Sequence, residues 1–345
     1  MVIERLVVVG ENMRGIGTRG IAFIAACLVA GSTTASVPSD AGSSARYVDL
    51  ATPFEQAAIE TAGQPQGSRV ATIRERINAV LPGIYRRDAS TDRLIADALV
   101  QYPAKRAAYN RAVAEFAVAL SGAVKRFRKI FPEFKSNIPI YLYHSLGLRD
   151  GGSDYLDPGQ RHVMLFGADM IAEYHSDDSL QPFLAHELFH LEHERHFSDC
   201  DQFWCAIWQE GLAVDAAATM TPRATDRQLL LDTPKPIRPK TEARWEDALC
   251  FAAAHFDDTD GTAVVKALQM GGNPPNELPD RFGYYVGYRI AQATNMKLIH
   301  LSRLDNKSAH PVVRSALIKL MNNAEARCPL PAVDAVVTQQ SPNPV

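Results

Sequence analysis

The sequence has no excess of basic residues. Lysine and arginine total 36 against 39 acids, a formal charge of −3. Nothing in that balance is set up to hold a polyanion, so nucleic acid is not an expected partner. Long apolar runs are missing too. The run near the N-terminus, Ile21 to Ala30, is about ten residues and too short to cross a bilayer comfortably. No repeat at the period of a solenoid or propeller is present. Hydrophobic residues make up 46% and charged residues 22%, which excludes disorder, collagen-like repeats and a multi-span membrane protein.

What is there begins with a targeting segment. Residues 13–35 read MRGIGTRGIAFIAACLVAGSTTA. Arg14 and Arg19 form a positive region, the apolar run follows, and small residues lead to Ala35. That is the layout of a secretory signal peptide over residues 1–35, with Met13 as the better start because Glu4 and Glu11 precede the basic pair. The alternatives are an uncleaved anchor and lipidation at Cys27. Against lipidation, Arg19 lies only eight residues before Cys27 and the apolar run continues past it. The expected location is outside the cytoplasm, periplasmic or secreted. Cysteine is sparse, at five. With Cys27 removed, Cys200, Cys205, Cys250 and Cys328 remain, and four in an exported chain suggest two disulfides. The nearness of the first pair favours Cys200–Cys205 with Cys250–Cys328.

The mature chain reads as a small polar linker from 36, then helical pattern from about 51 to 131. Tyr109, Val113, Phe116, Leu120, Val124, Phe127 and Phe131 put one apolar stripe on a long helix that Pro132 stops. Ile138 to Tyr143 and His162 to Phe166 read as strands, with a glycine-rich turn at Gly151-Gly152 between them. A helix should start near 179, after Ser176-Asp177-Asp178. Later helices are expected at roughly 206–219, 241–256, 260–269, 281–295 and 308–323, and a flexible tail at 331–345. Without a strand–helix–strand alternation, the fold class is α+β.

The chemistry sits at residues 184–196, LAHELFHLEHERH. His186-Glu187-Leu188-Phe189-His190 is an H-E-x-x-H. Four helical residues advance about 400°, so both histidines lie on one face, one turn apart, able to share a Zn2+ ion. Glu187 beside them can reach a metal-bound water as general base. Ten histidines and sixteen glutamates among 345 residues give only about 0.01 chance occurrences, so the motif weighs heavily despite its brevity.

A catalytic zinc needs a third protein ligand and an open position. Two residues compete. Glu210, in WQEGLA, lies 210 − 190 = 20 residues after the second histidine. That leaves room for a loop and a returning helix, and Gly211 and Ala213 allow close approach. His196 is six residues after His190, but that placement needs a glycine at 193 to turn the chain, and His193 stands there. Met220 as a Met-turn residue would go with His196. His193 shares the ligand face one turn too far along, and is expected near the metal's rim, either behind the ligands or exposed to solvent. Asp215 could orient a metal-binding histidine from behind.

HELFH, followed by WQEGLA and later by PDRFGYYVGYR, resembles the gluzincin clan of zinc metallopeptidases. More narrowly it resembles the bacterial groups of predicted zinc-dependent proteases. The resemblance covers roughly residues 105–300. It implies a zincin-like domain over 106–330, preceded by a linker and helical segment over 36–105. The plan would be a backing helix, a small sheet whose edge strand receives an extended peptide, the metal helix and a glutamate helix. The helix at 106–131 and the strand at 162–166 would fill the first two roles. It implies zinc on His186, His190 and Glu210, Glu187 as base, and a later residue that steadies the oxyanion. Tyr284 and Tyr288, four residues apart on one helix face beside Gly283 and Gly287, are the candidates; His300 and His310 are later donors in principle. The expected function is an exported zinc metallopeptidase acting on polypeptide. The alternatives are a non-catalytic, metal-stabilised envelope binding protein and a hydrolase of a non-peptide amide.

Overall fold

The computed structural model describes residues 46–135, 138–156, 161–175, 180–198, 200–232 and 235–329. The segment read as a signal peptide, with Cys27, residues 176–178 and the residues read as a tail lie outside them. In chain order the elements are β1 (Tyr47–Asp49), α1 (Ala51–Glu60), α2 (Gln66–Val80), α3 (Ala89–Ile130), β2 (Ile140–Tyr143), β3 (Ser153–Leu156), β4 (Arg161–Gly167) and α4 (Ala168–Tyr174). Then come α5 (Leu180–His193), α6 (Phe203–Met220), α7 (Arg238–Ala243), α8 (Trp245–Ala254), α9 (Thr262–Leu268), α10 (Phe282–Ala293), α11 (Leu298–Leu301) and α12 (Asn306–Asn323). The fold is mixed α+β, mostly helical, with one four-stranded sheet in the order β1-β2-β4-β3. β1, β2 and β4 are parallel, and β3 closes the far edge antiparallel to β4.

α3 is 42 residues, about 63 Å long. It starts at Asp88, whose carboxylate accepts from the Thr91 N–H at 2.7 Å, and ends with Arg128 and Lys129 in its last turn. The expected apolar stripe is its buried face, which packs on α4 and α5. Pro103 inside it removes the donor to the Leu99 carbonyl. A boundary at 105/106 falls within this helix.

Four expectations change. β1 occupies what reads as linker, and β3 follows what reads only as a turn. The strand at 162–166 is interior, so the free edge beside β4 belongs to β3. The single helix expected over 241–256 is two, broken at Arg244.

α6 is the structural centre. Fourteen of its eighteen residues are buried, the mark of a helix surrounded on all sides. It packs between α5 and α10. Gly211 on α6 and Gly287 on α10 meet backbone to backbone: a Cβ at 211 would lie 2.1 Å from the Gly287 carbonyl carbon, and one at 287 would lie 1.9 Å from the Ile207 oxygen. Both cysteine pairs are bonded as the spacing suggests, Cys200–Cys205 and Cys250–Cys328, with Cα separations of 6.0 and 5.5 Å. The second ties α8 to the chain beyond α12.

The glycine contact sets a prediction. Gly211→Ala should cost about 2–3 kcal/mol or more, because backbone rather than a side chain must give way. Gly67→Ala, with nothing within 4 Å of the added carbon, should leave stability unchanged or slightly raised. Urea midpoints of the two variants check this, and equal shifts would contradict it.

Candidate metal centre

α5 buries twelve of its fourteen residues, among them His186, Glu187, Glu192 and His193. Burying that many polar groups is costly unless each is met. The apolar side carries Phe183, Leu184 and Leu188 into the core and turns His186 and His190 toward α6. On α6, Glu210 comes up against them.

The three donor atoms close a triangle. His186 Nε2 and His190 Nε2 are 3.2 Å apart, and Glu210 Oε2 lies 3.3 Å from the first and 3.7 Å from the second. A tetrahedral zinc site with bonds of 2.0–2.1 Å has neighbouring donors about 3.3 Å apart. With both imidazoles neutral and Nε2 unprotonated, three lone pairs face one centre, an arrangement that a divalent cation satisfies. Burial lowers the His186 pKa, against the pull of Glu210, and so favours its neutral form. Burial would raise the Glu210 carboxyl, but His190 and His186 outweigh it and hold it well below the usual carboxylate range. Deprotonated donors are what metal binding requires. His186 and Glu210 side chains are 8% and 9% exposed and His190 24%, so the group opens toward solvent on the His190 side. This buried group can bind a metal ion.

No protein-family model, curated protein or solved structure matches the chain. The site stands on its own geometry.

Glu187, next in sequence to His186 on α5, is buried. The loop after β2 presses on it: a Cβ at Gly151 would lie 2.9 Å from Glu187 Cδ and 2.7 Å from Phe183 Cζ. A glycine there is what lets the loop and the carboxylate coexist. Tyr284 reaches the site, its ring 6.3 Å from that of His186 and nearly parallel to it. Burial, then the Glu210 charge, raise its hydroxyl pKa far above the ordinary value, so it stays a donor. Tyr288 packs against the small core of Val214, Leu231 and Tyr285, which Tyr284 also touches, and lies near Asp215.

His196 is exposed at the end of α5 and is not part of the group. Met220 is buried at the end of α6. His193 departs from expectation. It is 1% exposed, stacked between Phe189 and Phe197 with ring separations of 5.4 and 4.8 Å, and burial drives its pKa down to about 3. His300 lies on α11, and His310 contacts Asp257 at 3.1 Å.

The sequence reading missed Arg281, Asp150 and His175. Arg281 caps α10 with a left-handed φ of 64° and sets its guanidinium 4.4 Å over the Tyr284 ring. Asp150 accepts from His175 at 3.0 Å, and His175 stacks on Phe183 at 4.0 Å. The arginine stands directly before the glycine-tyrosine helix, but no motif marks it. Its left-handed backbone is a property of the fold.

Two measurements follow. The purified chain should bind one metal ion; Glu210→Ala should lose it and His196→Ala should keep it, read by metal analysis after dialysis. The reverse pattern would overturn the assignment. Asp215 gives a pH signature. Burial pushes its carboxyl up to about 6. Its folded pKa exceeds its unfolded one, so the fold favours the protonated form; stability from this group is full below about pH 4 and lost as pH rises through about 6. Asp215→Asn should therefore gain on the order of 2 kcal/mol over the parent at pH 8, after allowance for partial exposure, and little at pH 3.5. Urea titrations at both pH values check it, and equal gains would contradict it.

Proposed function

We propose that this protein is a zinc-dependent hydrolase of the gluzincin type, an exported peptidase that cleaves peptide bonds with a glutamate base. The observation that carries the proposal is the triangle of His186, His190 and Glu210, with Glu187 buried on the same helix, next in sequence to His186. Three ligands with an open side match a catalytic rather than a structural zinc. The peptide bond as target comes from the resemblance of HELFH and EGLA to zinc metallopeptidases. Two disulfides fit an oxidising, exported setting, and among the described residues no helix is long and apolar enough to cross a membrane.

A bound zinc ion would supply Lewis-acid polarisation of the scissile carbonyl and a lowered pKa for water. His186, His190 and Glu210 would hold it. Glu187 would take a proton from the attacking water at its carboxylate and return it to the departing amine. The Tyr284 hydroxyl would donate to the developing oxyanion, with Arg281 beside it adding positive charge. Gly151, having no side chain, leaves the space that the Glu187 carboxylate occupies. The open side at His190 would admit substrate.

The test pairs metal content with turnover on a peptide library read by mass spectrometry. The parent chain should cleave peptides. Glu187→Gln should keep its zinc and lose about 10³ in rate. Unchanged turnover in that variant would remove Glu187 from the chemistry. Zinc bound by the parent with no peptide cleaved would point to a binding protein or a different amide.

A further inference from the structure

A cavity of about 170 Å3 opens where the carboxyl end of β2 meets α3 and α4. None of its lining residues belongs to the metal centre. Crevices at the carboxyl ends of parallel strands are a common ligand position in sheets flanked by helices.

Its floor is His144, the first residue after β2 and 7% exposed. The ring lies 4.1 Å from that of Phe54 and 5.4 Å from that of Tyr109. Nδ1 accepts from the Leu146 N–H at 3.1 Å. The Asp169 carboxylate is 3.4 Å from the same nitrogen. That carboxylate accepts from the Ser145 N–H at 2.6 Å, the Ser145 hydroxyl at 2.9 Å and the Gly147 N–H at 2.7 Å, and the ring nitrogen beside it serves as the acceptor for Leu146. The ring proton therefore sits on Nε2, and burial keeps the imidazole neutral by lowering its pKa. Nε2 has no hydrogen-bond partner among the described residues. That N–H is open to the cavity rather than sealed in the core, where an acceptor on a ligand can take it.

The walls are largely apolar: Leu94, Ala98 and Tyr102 on α3 face Met170 and Ala172 on α4. The charge at the cavity is acidic, with Asp97, Asp169 and Glu173 against Lys105. Lys105 is paired with Glu173 at 2.9 Å. Asp97, exposed at the rim, has no ion pair among the described residues.

We propose that this cavity is a binding site, separate from the metal centre, for a small amphipathic amine. Its hydrogen-bond acceptor sits on the His144 Nε2–H, its apolar body lies between α3 and α4, and its ammonium group lies at the rim beside Asp97. The site is independent of the hydrolase proposal, since it needs neither metal nor turnover.

Three probes separate the contributions: tyramine, phenethylamine, which lacks the hydroxyl, and 4-ethylphenol, which lacks the ammonium. Each is titrated into the metal-free full chain by calorimetry. Tyramine should bind saturably at one site, and each of the others about fivefold more weakly. His144→Phe keeps the stacking on Phe54 and removes the donor; it should bring tyramine down to the phenethylamine level and leave phenethylamine unchanged. Asp97→Asn, a surface change that leaves the fold intact, should weaken both amines and not the phenol. No saturable binding by any probe, equal binding by all three, or amine binding untouched by Asp97→Asn would overturn the proposal. Because no outcome depends on zinc or peptide cleavage, its failure and that of the hydrolase reading are distinguishable.

Discussion

The contact between Gly211 and Gly287 leaves no space for a side chain between α6 and α10, and the site is built on that closeness. Glu210 precedes Gly211, so the approach of the two backbones fixes the turn of α6 that carries the carboxylate. Tyr284 stands one turn before Gly287 and comes to His186 by the same contact. A helix pair held apart by even one methyl group would move the third donor relative to α5, where separations of 3.3 and 3.7 Å decide whether three atoms can share a cation. Small residues here set geometry.

The second constraint is electrostatic. α5 takes two imidazoles and two carboxylates out of water within eight residues, His186 to His193. His193 is met by aromatic rings, and Glu192 by Arg195 at 2.7 Å. His186 and His190 face Glu210 and each other, an arrangement in which lone pairs outnumber protons. An apolar core of the same volume would be easier to form. The remaining buried carboxylate of α5, Glu187, lies under the loop of Asp150 and Gly151.

Much of this was legible in the residues. H-E-x-x-H followed by a glutamate 20 residues later fixes two helices and three donors, because period and spacing act locally. The long stripe of α3 and the cysteine pairing follow from equally local signals. What stayed hidden depends on partners distant in the chain. β1 is three residues, too short for any alternation, and exists because Tyr47–Asp49 pairs with Ile140–Leu142. β3 carries Ser153 and Asp154, poor strand formers, and is held by β4. His193 shows the limit of a helical projection: it gives angle but not depth, and one turn beyond His190 the neighbour is Phe197 rather than a cleft. Tyr284 and Tyr288 share a face and the same small core, and Tyr284 in addition brings its ring to His186. Arg281 carries no motif because its left-handed backbone is imposed by the turn into α10.

β1 has a consequence for how such a chain can be matured. It is the edge strand on β2, Leu50 donates its N–H to the Leu142 carbonyl at 2.7 Å, Phe54 covers His144, and Tyr109 donates to the Ala51 carbonyl at 3.1 Å. The segment from Arg46 onward is therefore woven into the sheet and the long helix and does not form a detachable cap. A processing cut that frees a leader must fall before it. Activation by excision of a helical propeptide reaching to residue 105 is closed to this architecture, because it would strip the sheet of one edge and sever α3 in mid-course.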